Sequence, residues 1–92
     1  TESLFYWRDK SGREVDFVLR RGRAVHAVEC KINPDRFDPE SLGVFRGLYA
    51  QGQNYLVCPG IEEPYERRFG KLILRITSFQ GLLRELGDDF GP

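Results

Sequence analysis

The chain has 92 residues, with 14 Lys+Arg against 14 Asp+Glu, two Cys, one His and no Met. That length bounds a single small domain, residues 1–92, burying about 60–65% of the surface its unfolded chain exposes, and 40% hydrophobic with 30% charged residues is a globular rather than a disordered composition. A formal net charge of zero excludes whole-molecule attraction to nucleic acid and leaves only local basic patches.

No apolar run approaches the roughly 18 residues of a spanning helix, and Thr1-Glu2-Ser3 does not open a signal peptide. Without a Met, and with Leu4-Phe5-Tyr6-Trp7 starting a strand almost at once, the sequence reads as a piece excised from a longer protein. Cys30 and Cys58 sit inside apolar runs and read as buried free thiols, which points to a cytoplasmic setting.

The first third reads as two hairpins. Residues 4–9, 14–20 and 24–32 are strand-like, with Ser11-Gly12 and Gly22-Arg23 as the turns. Asp38-Pro39-Glu40 has the form of a helix start, with Asp as N-cap and Pro at the first helical position. Leu42, Phe45 and Leu48/Tyr49 follow at helical spacing, weakened by Gly43 and Gly47, and the helix should end near Gln51-Gly52. Asn54–Cys58 reads as a buried strand stopped by Pro59-Gly60, residues 61–66 as a loop, and 71–76 as another strand. A last helix over 78–86 carries Phe79, Leu82, Leu83 and Leu86, and residues 88–92 read as a frayed tail. The pattern is β-β-β-α-β-β-α, a mixed α/β fold.

Strand alternation makes the interesting residues converge. With Gly22-Arg23 as a two-residue turn, Arg21 faces Ala24 and Asp16 faces Glu29, so Glu14, Asp16 and Val18 share a face with Ala27, Glu29 and Lys31. Val15, Phe17, Leu19, Val28, Cys30 and Ile32 then form the core face, and the same counting sets Trp7 beside Asp16. Two opposed carboxylates repel and call for compensation. Lys31 on the same face supplies one answer and a bridging divalent cation another, because Mg²⁺ takes oxygen ligands and often uses only one or two carboxylates.

His26 falls on the apolar face, where a buried core neighbour is a better reading than a catalytic base. Trp7 reads as a packing residue. Arg20, Arg21 and Arg23 cluster at a hairpin tip, as a solvated turn or, more weakly, a contact to a phosphate backbone. Gln51 and Tyr55 have a Gln-x-x-x-Tyr spacing that spans a helix-to-strand junction and is read as chance.

Asp16, followed thirteen residues later by Glu29-Cys30-Lys31, resembles the D…(D/E)-x-K signature of the PD-(D/E)XK, restriction-endonuclease-like superfamily. With Tyr6-Trp7-Arg8, Ser11-Gly12, Glu14-Val15-Asp16-Phe17-Val18 and Val28-Glu29-Cys30-Lys31, the sequence is similar to the C-terminal domain of unknown function of bacterial and archaeal AAA-type P-loop ATPases. The resemblance implies a restriction-endonuclease-like mixed sheet in which Asp16 and Glu29 hold Mg²⁺ and Lys31 acts at the scissile phosphate. It implies a Mg²⁺-dependent phosphodiesterase module acting on DNA or RNA, or a silent nuclease fold that serves the ATPase as an interaction or targeting module. The expected partner is an N-terminal ATPase region that binds ATP outside this chain, since no G-x-x-x-x-G-K-[ST] occurs here. Cys30 replaces an aliphatic residue, and the superfamily's N-terminal helix, with its further acid, is missing from this reading of the chain. That missing cover leads to an expected apolar patch around Phe5, Trp7 and Val18, and so to a two-fold homodimer or to a surface on which the rest of the ATPase docks. No membrane association is expected.

Overall fold

The computed structural model describes residues 2–89, with residues 2, 88 and 89 described by their backbone alone. Six strands and two helices follow in order: β1 (Glu2–Arg8), β2 (Glu14–Arg21), β3 (Ala24–Cys30), α1 (Glu40–Leu48), β4 (Asn54–Val57), β5 (Tyr65–Phe69), β6 (Leu72–Thr77) and α2 (Phe79–Asp89). They form one mixed sheet in the order β1-β2-β3-β4-β6-β5. The β1-β2-β3 meander is antiparallel, β3-β4-β6 is parallel, and β5 returns antiparallel to β6. Tyr65–Phe69 is thus a strand not expected from the sequence, its first two residues falling in the loop expected over 61–66. Three consecutive charges, Glu66-Arg67-Arg68, erase any apolar alternation, as suits an edge strand. The tail residues 90–92 lie outside the described residues, and α2 runs to Asp89.

The Gly22-Arg23 turn sets Arg21 against Ala24 and Phe17 against Val28, as counted from the sequence. The first hairpin differs. Its turn is longer, with the Asp9 carboxylate accepting the N–H groups of Ser11 and Arg13 at 2.9 Å, so Trp7 lies opposite Val15 rather than beside Asp16. Between Phe5–Val18 and Trp7–Val15, β2 carries one more residue than β1. This bulge resets the side-chain alternation, bringing Val15 and Val18 to the same core, both fully buried. Val15 therefore does not share a face with Phe17 and Leu19.

The principal core packs α1 through Leu42 and Phe45 onto Val15, Val18, Val25 and Leu56, joined by the partly buried Phe5 and Trp7. The Trp7 and Phe45 rings meet edge to face at 5.4 Å. The expected exposure of Phe5, Trp7 and Val18 is accordingly overturned, since α1 covers them. Apolar surface is exposed on the opposite face instead, at Leu4, Tyr6 and Phe17. There α2 covers only part of the sheet, seating Leu82 against Val28 and Tyr55.

Asp38 bonds the Glu40 N–H at 3.0 Å, but helix α1 begins at Glu40 and ends at Leu48, earlier than Gln51-Gly52. The released segment is extended along β3, with Val25 donating to the Gln51 carbonyl and Ala27 to that of Gln53. Gly52, at φ 140°, passes so close that a Cβ there would overlap the Val25 carbonyl oxygen. Among the described residues no helix is long and apolar enough to cross a membrane.

Candidate functional site

β3 and β4 are parallel and end together, with Lys31 donating its N–H to the Val57 carbonyl at 3.0 Å. The carboxyl end of parallel strands is where open α/β sheets place their ligands. Glu29 lies at this end of β3, in register with the fully buried Leu56, and is itself only 8% exposed. A carboxyl so placed is expensive to ionise. Burial first, and the Asp16 charge second, push Glu29 up to about 7, with Asp38 and Glu14 adding to the rise and Lys31 opposing it.

Asp16 occupies the β2 bulge, where the paired register with β3 stops at Phe17–Val28. Its Oδ2 accepts the Cys30 N–H at 2.9 Å. One side-chain oxygen thereby holds the end of β3, directly after Glu29, and fixes Asp16 beside that residue. The Lys31 side chain is exposed. Sequence counting set Asp16 directly opposite Glu29. The ladder stops one pair short of that, and Asp16 instead reaches the end of β3 by accepting the Cys30 N–H, at the same end of the sheet as Glu29 and Lys31. The structure also brings up Asp38, read beforehand only as a helix cap. Its only sequence signal was its place on the segment leading from β3 into α1.

The surroundings tie this corner down. Arg13, just before β2, bonds Asp9 at 3.3 Å and Glu40 at the start of α1 at 3.2 Å. Such half-exposed pairs contribute little stability, but they connect the strand carrying Asp16 to the helix following Asp38. Among the described residues, no group of three or more His, Cys, Asp or Glu side chains is gathered to hold a metal ion. A cation here would rest on the Asp16–Glu29 carboxylate pair.

The chain matches, over residues 1–79, the model of a family described as a domain of unknown function, DUF4143. The chain belongs to the DUF4143 family. No curated protein matches it. In this DUF4143 chain the match contains the whole sheet and the acidic corner and stops at the first residue of α2.

The remaining residues singled out from the sequence lie elsewhere. Arg20, Arg21 and Arg23 are at the other end of the hairpin, with Arg21 about 17 Å along the strand from Asp16. Arg20 and Arg23 are exposed, whereas Arg21 turns under α2 and donates to the Leu86 carbonyl at 3.2 Å. His26 is buried and its Nδ1 accepts the Gln53 N–H at 3.0 Å, a structural task. Cys58 is buried as expected, but Cys30 is exposed, and alternation puts the two thiols on opposite faces of the sheet. Burial raises the pKa of both thiols.

Sequence reasoning missed Arg46. Its guanidinium bonds Asn54 Oδ1 at 2.6 Å and the Gln53 carbonyl at 2.8 Å, and reaches the Tyr49 and Gln51 carbonyls at 3.2 Å. The one available signal was a charged residue next to Phe45 in the apolar stripe of α1.

Proposed function

We propose that this DUF4143 domain is a nuclease-like phosphodiesterase module whose site consists of Asp16, Glu29 and Lys31. The observation that carries the reading is the Asp16–Cys30 hydrogen bond, which fixes one carboxylate beside a second, buried one and next to an exposed lysine. The donor chemistry suits a hard cation. Two carboxylates from adjacent strands supply oxygen ligands, and neutralising their mutual repulsion is what a divalent ion does best. When bound, Mg²⁺ would supply Lewis-acid polarisation of a phosphate and charge for a nucleophilic water.

The protein's own residues have distinct parts. Asp16 is held in place by β3 and presents its second oxygen. Glu29 is kept largely out of water by its burial and becomes a strong ligand once ionised. Lys31 places positive charge where a phosphate gains negative charge in the transition state. The restriction-endonuclease-like fold order, the nucleic-acid substrate, the ATPase region as partner and the cytoplasmic setting belong to the same proposal and rest on the sequence resemblance.

One observation favours a second reading, a silent fold acting as an interaction module. No three-ligand cluster occurs among the described residues. Cleavage of single- and double-stranded DNA and RNA by the protein, with and without Mg²⁺ or Mn²⁺, separates the two. The proposal expects metal-dependent cleavage that Asp16→Ala and Lys31→Ala each lower by about 10²-fold or more. Absence of cleavage by the wild type, or cleavage indifferent to both substitutions, rejects the nuclease reading.

A further inference from the structure

The two edges of the sheet are unlike. β5 is blunted by the consecutive charges of Glu66, Arg67 and Arg68, a device that discourages edge pairing. β1, at the other edge, runs through five uncharged residues, Ser3 to Trp7, without Gly or Pro. Phe5 and Trp7 are turned into the core beneath α1. Leu4 and Tyr6 alternate with them on the other face and are 68% and 65% exposed. Phe17, beside them on β2, is 49% exposed and lines an apolar groove of about 500 Å³ with Leu19 and α2. Among the described residues β1 has no strand on its outer side, and such an edge next to an uncovered apolar face is the configuration that pairs with another strand.

We propose that β1 pairs antiparallel with β1 of a second copy of this chain, about a two-fold axis at Phe5, joining the two six-stranded sheets into one. The choice of occupant follows from charge complementarity along the strand. Pairing about Phe5 sets position 2, a Glu, opposite position 8, an Arg, at both ends of the ladder. It also sets Leu4 opposite Tyr6 of the second copy, twice, on the open face. A shift by one residue would bring Leu4 opposite Trp7, mixing the open face with the core face. Centring on Leu4 or Tyr6 keeps the faces but loses the opposite-charge pairs. Only the Phe5 register satisfies both conditions, and the resulting contact is isologous, as two-fold dimers require.

Sedimentation equilibrium from low-micromolar to near-millimolar concentration tests the proposal, with near-UV circular dichroism confirming that each variant keeps its fold. Leu4 and Tyr6 are exposed, so substitutions there leave the core intact. The wild type is expected in monomer–dimer equilibrium. L4E/Y6E, which opposes like charges at both symmetric pairs, should weaken association by about tenfold or more. L4K/Y6E opposes unlike charges at the same pairs and should restore it. A wild type that stays monomeric throughout, a dimer untouched by L4E/Y6E, or equal loss in both double variants overturns the proposal.

Discussion

Glu29→Gln should stabilise the metal-free domain at pH 8 and leave it nearly unchanged at pH 5. The Glu29 carboxyl lies at about 7 in the fold against a usual 4.5, raised first by burial and then by Asp16. Between those values the folded chain holds a proton that the unfolded chain has released. Stability therefore falls as pH rises from about 4.5 and levels off above pH 7, a loss on the order of 3 kcal/mol. The amide cannot ionise and escapes most of that loss. Urea unfolding at a series of pH values reads the effect directly. Were Glu29 held chiefly by a salt bridge to Lys31, the substitution would destabilise at pH 8, the opposite sign. Carboxyls raised this far by burial and a neighbouring like charge cluster at functional sites.

Arg46→Ala should cost on the order of 3 kcal/mol, lowering the thermal midpoint by about 15 °C. The guanidinium collects four acceptors from residues 49–54, the segment after α1 and the first residue of β4, and burial brings it down to about 10, still protonated at neutral pH. Removing it leaves the carbonyls of Tyr49, Gln51 and Gln53 and the Asn54 amide oxygen without their common donor. Arg46→Lys should recover only part of the loss, because a single ammonium cannot span the four acceptors. Thermal and urea unfolding check both variants, and a loss below about 0.5 kcal/mol for Arg46→Ala would place it with ordinary surface substitutions.

The meander and its turns were legible in the sequence because Gly22-Arg23 and the flanking alternation act locally. The register at Arg21–Ala24 follows from them without further information. The β2 bulge was not legible. It depends on β1 pairing Phe5 with Val18 and Trp7 with Val15 at once, a demand made by packing both aromatic rings against the α1 core. That one residue moved Val15 to another face. The expected patch at Phe5, Trp7 and Val18 is absent for a different reason, the cover supplied by α1, and the apolar exposure lies at Leu4, Tyr6 and Phe17. β5 escaped because its residues answer to an edge position rather than to a buried face. Of the candidate site, strand counting put Asp16, Glu29 and Lys31 at the same end of the hairpin, but did not show the bulge that replaces a direct Asp16–Glu29 pair by the Cys30 N–H bond to Asp16. The depth of Glu29 was not readable, since it comes from β4 and Leu56 arriving by a crossover through α1. Nor was Asp38, whose charge reaches Glu29 from the far end of a loop.

The central claim is that Asp16 and Glu29 together hold a divalent cation. Carbon-detected NMR titration of the Glu29 side-chain carboxyl, with and without Mg²⁺, addresses it most directly. The account predicts a midpoint near 7 without metal, a clearly lower midpoint with millimolar Mg²⁺, and loss of that Mg²⁺ response in Asp16→Asn. A Glu29 titration that Mg²⁺ leaves unmoved in the wild type would contradict it.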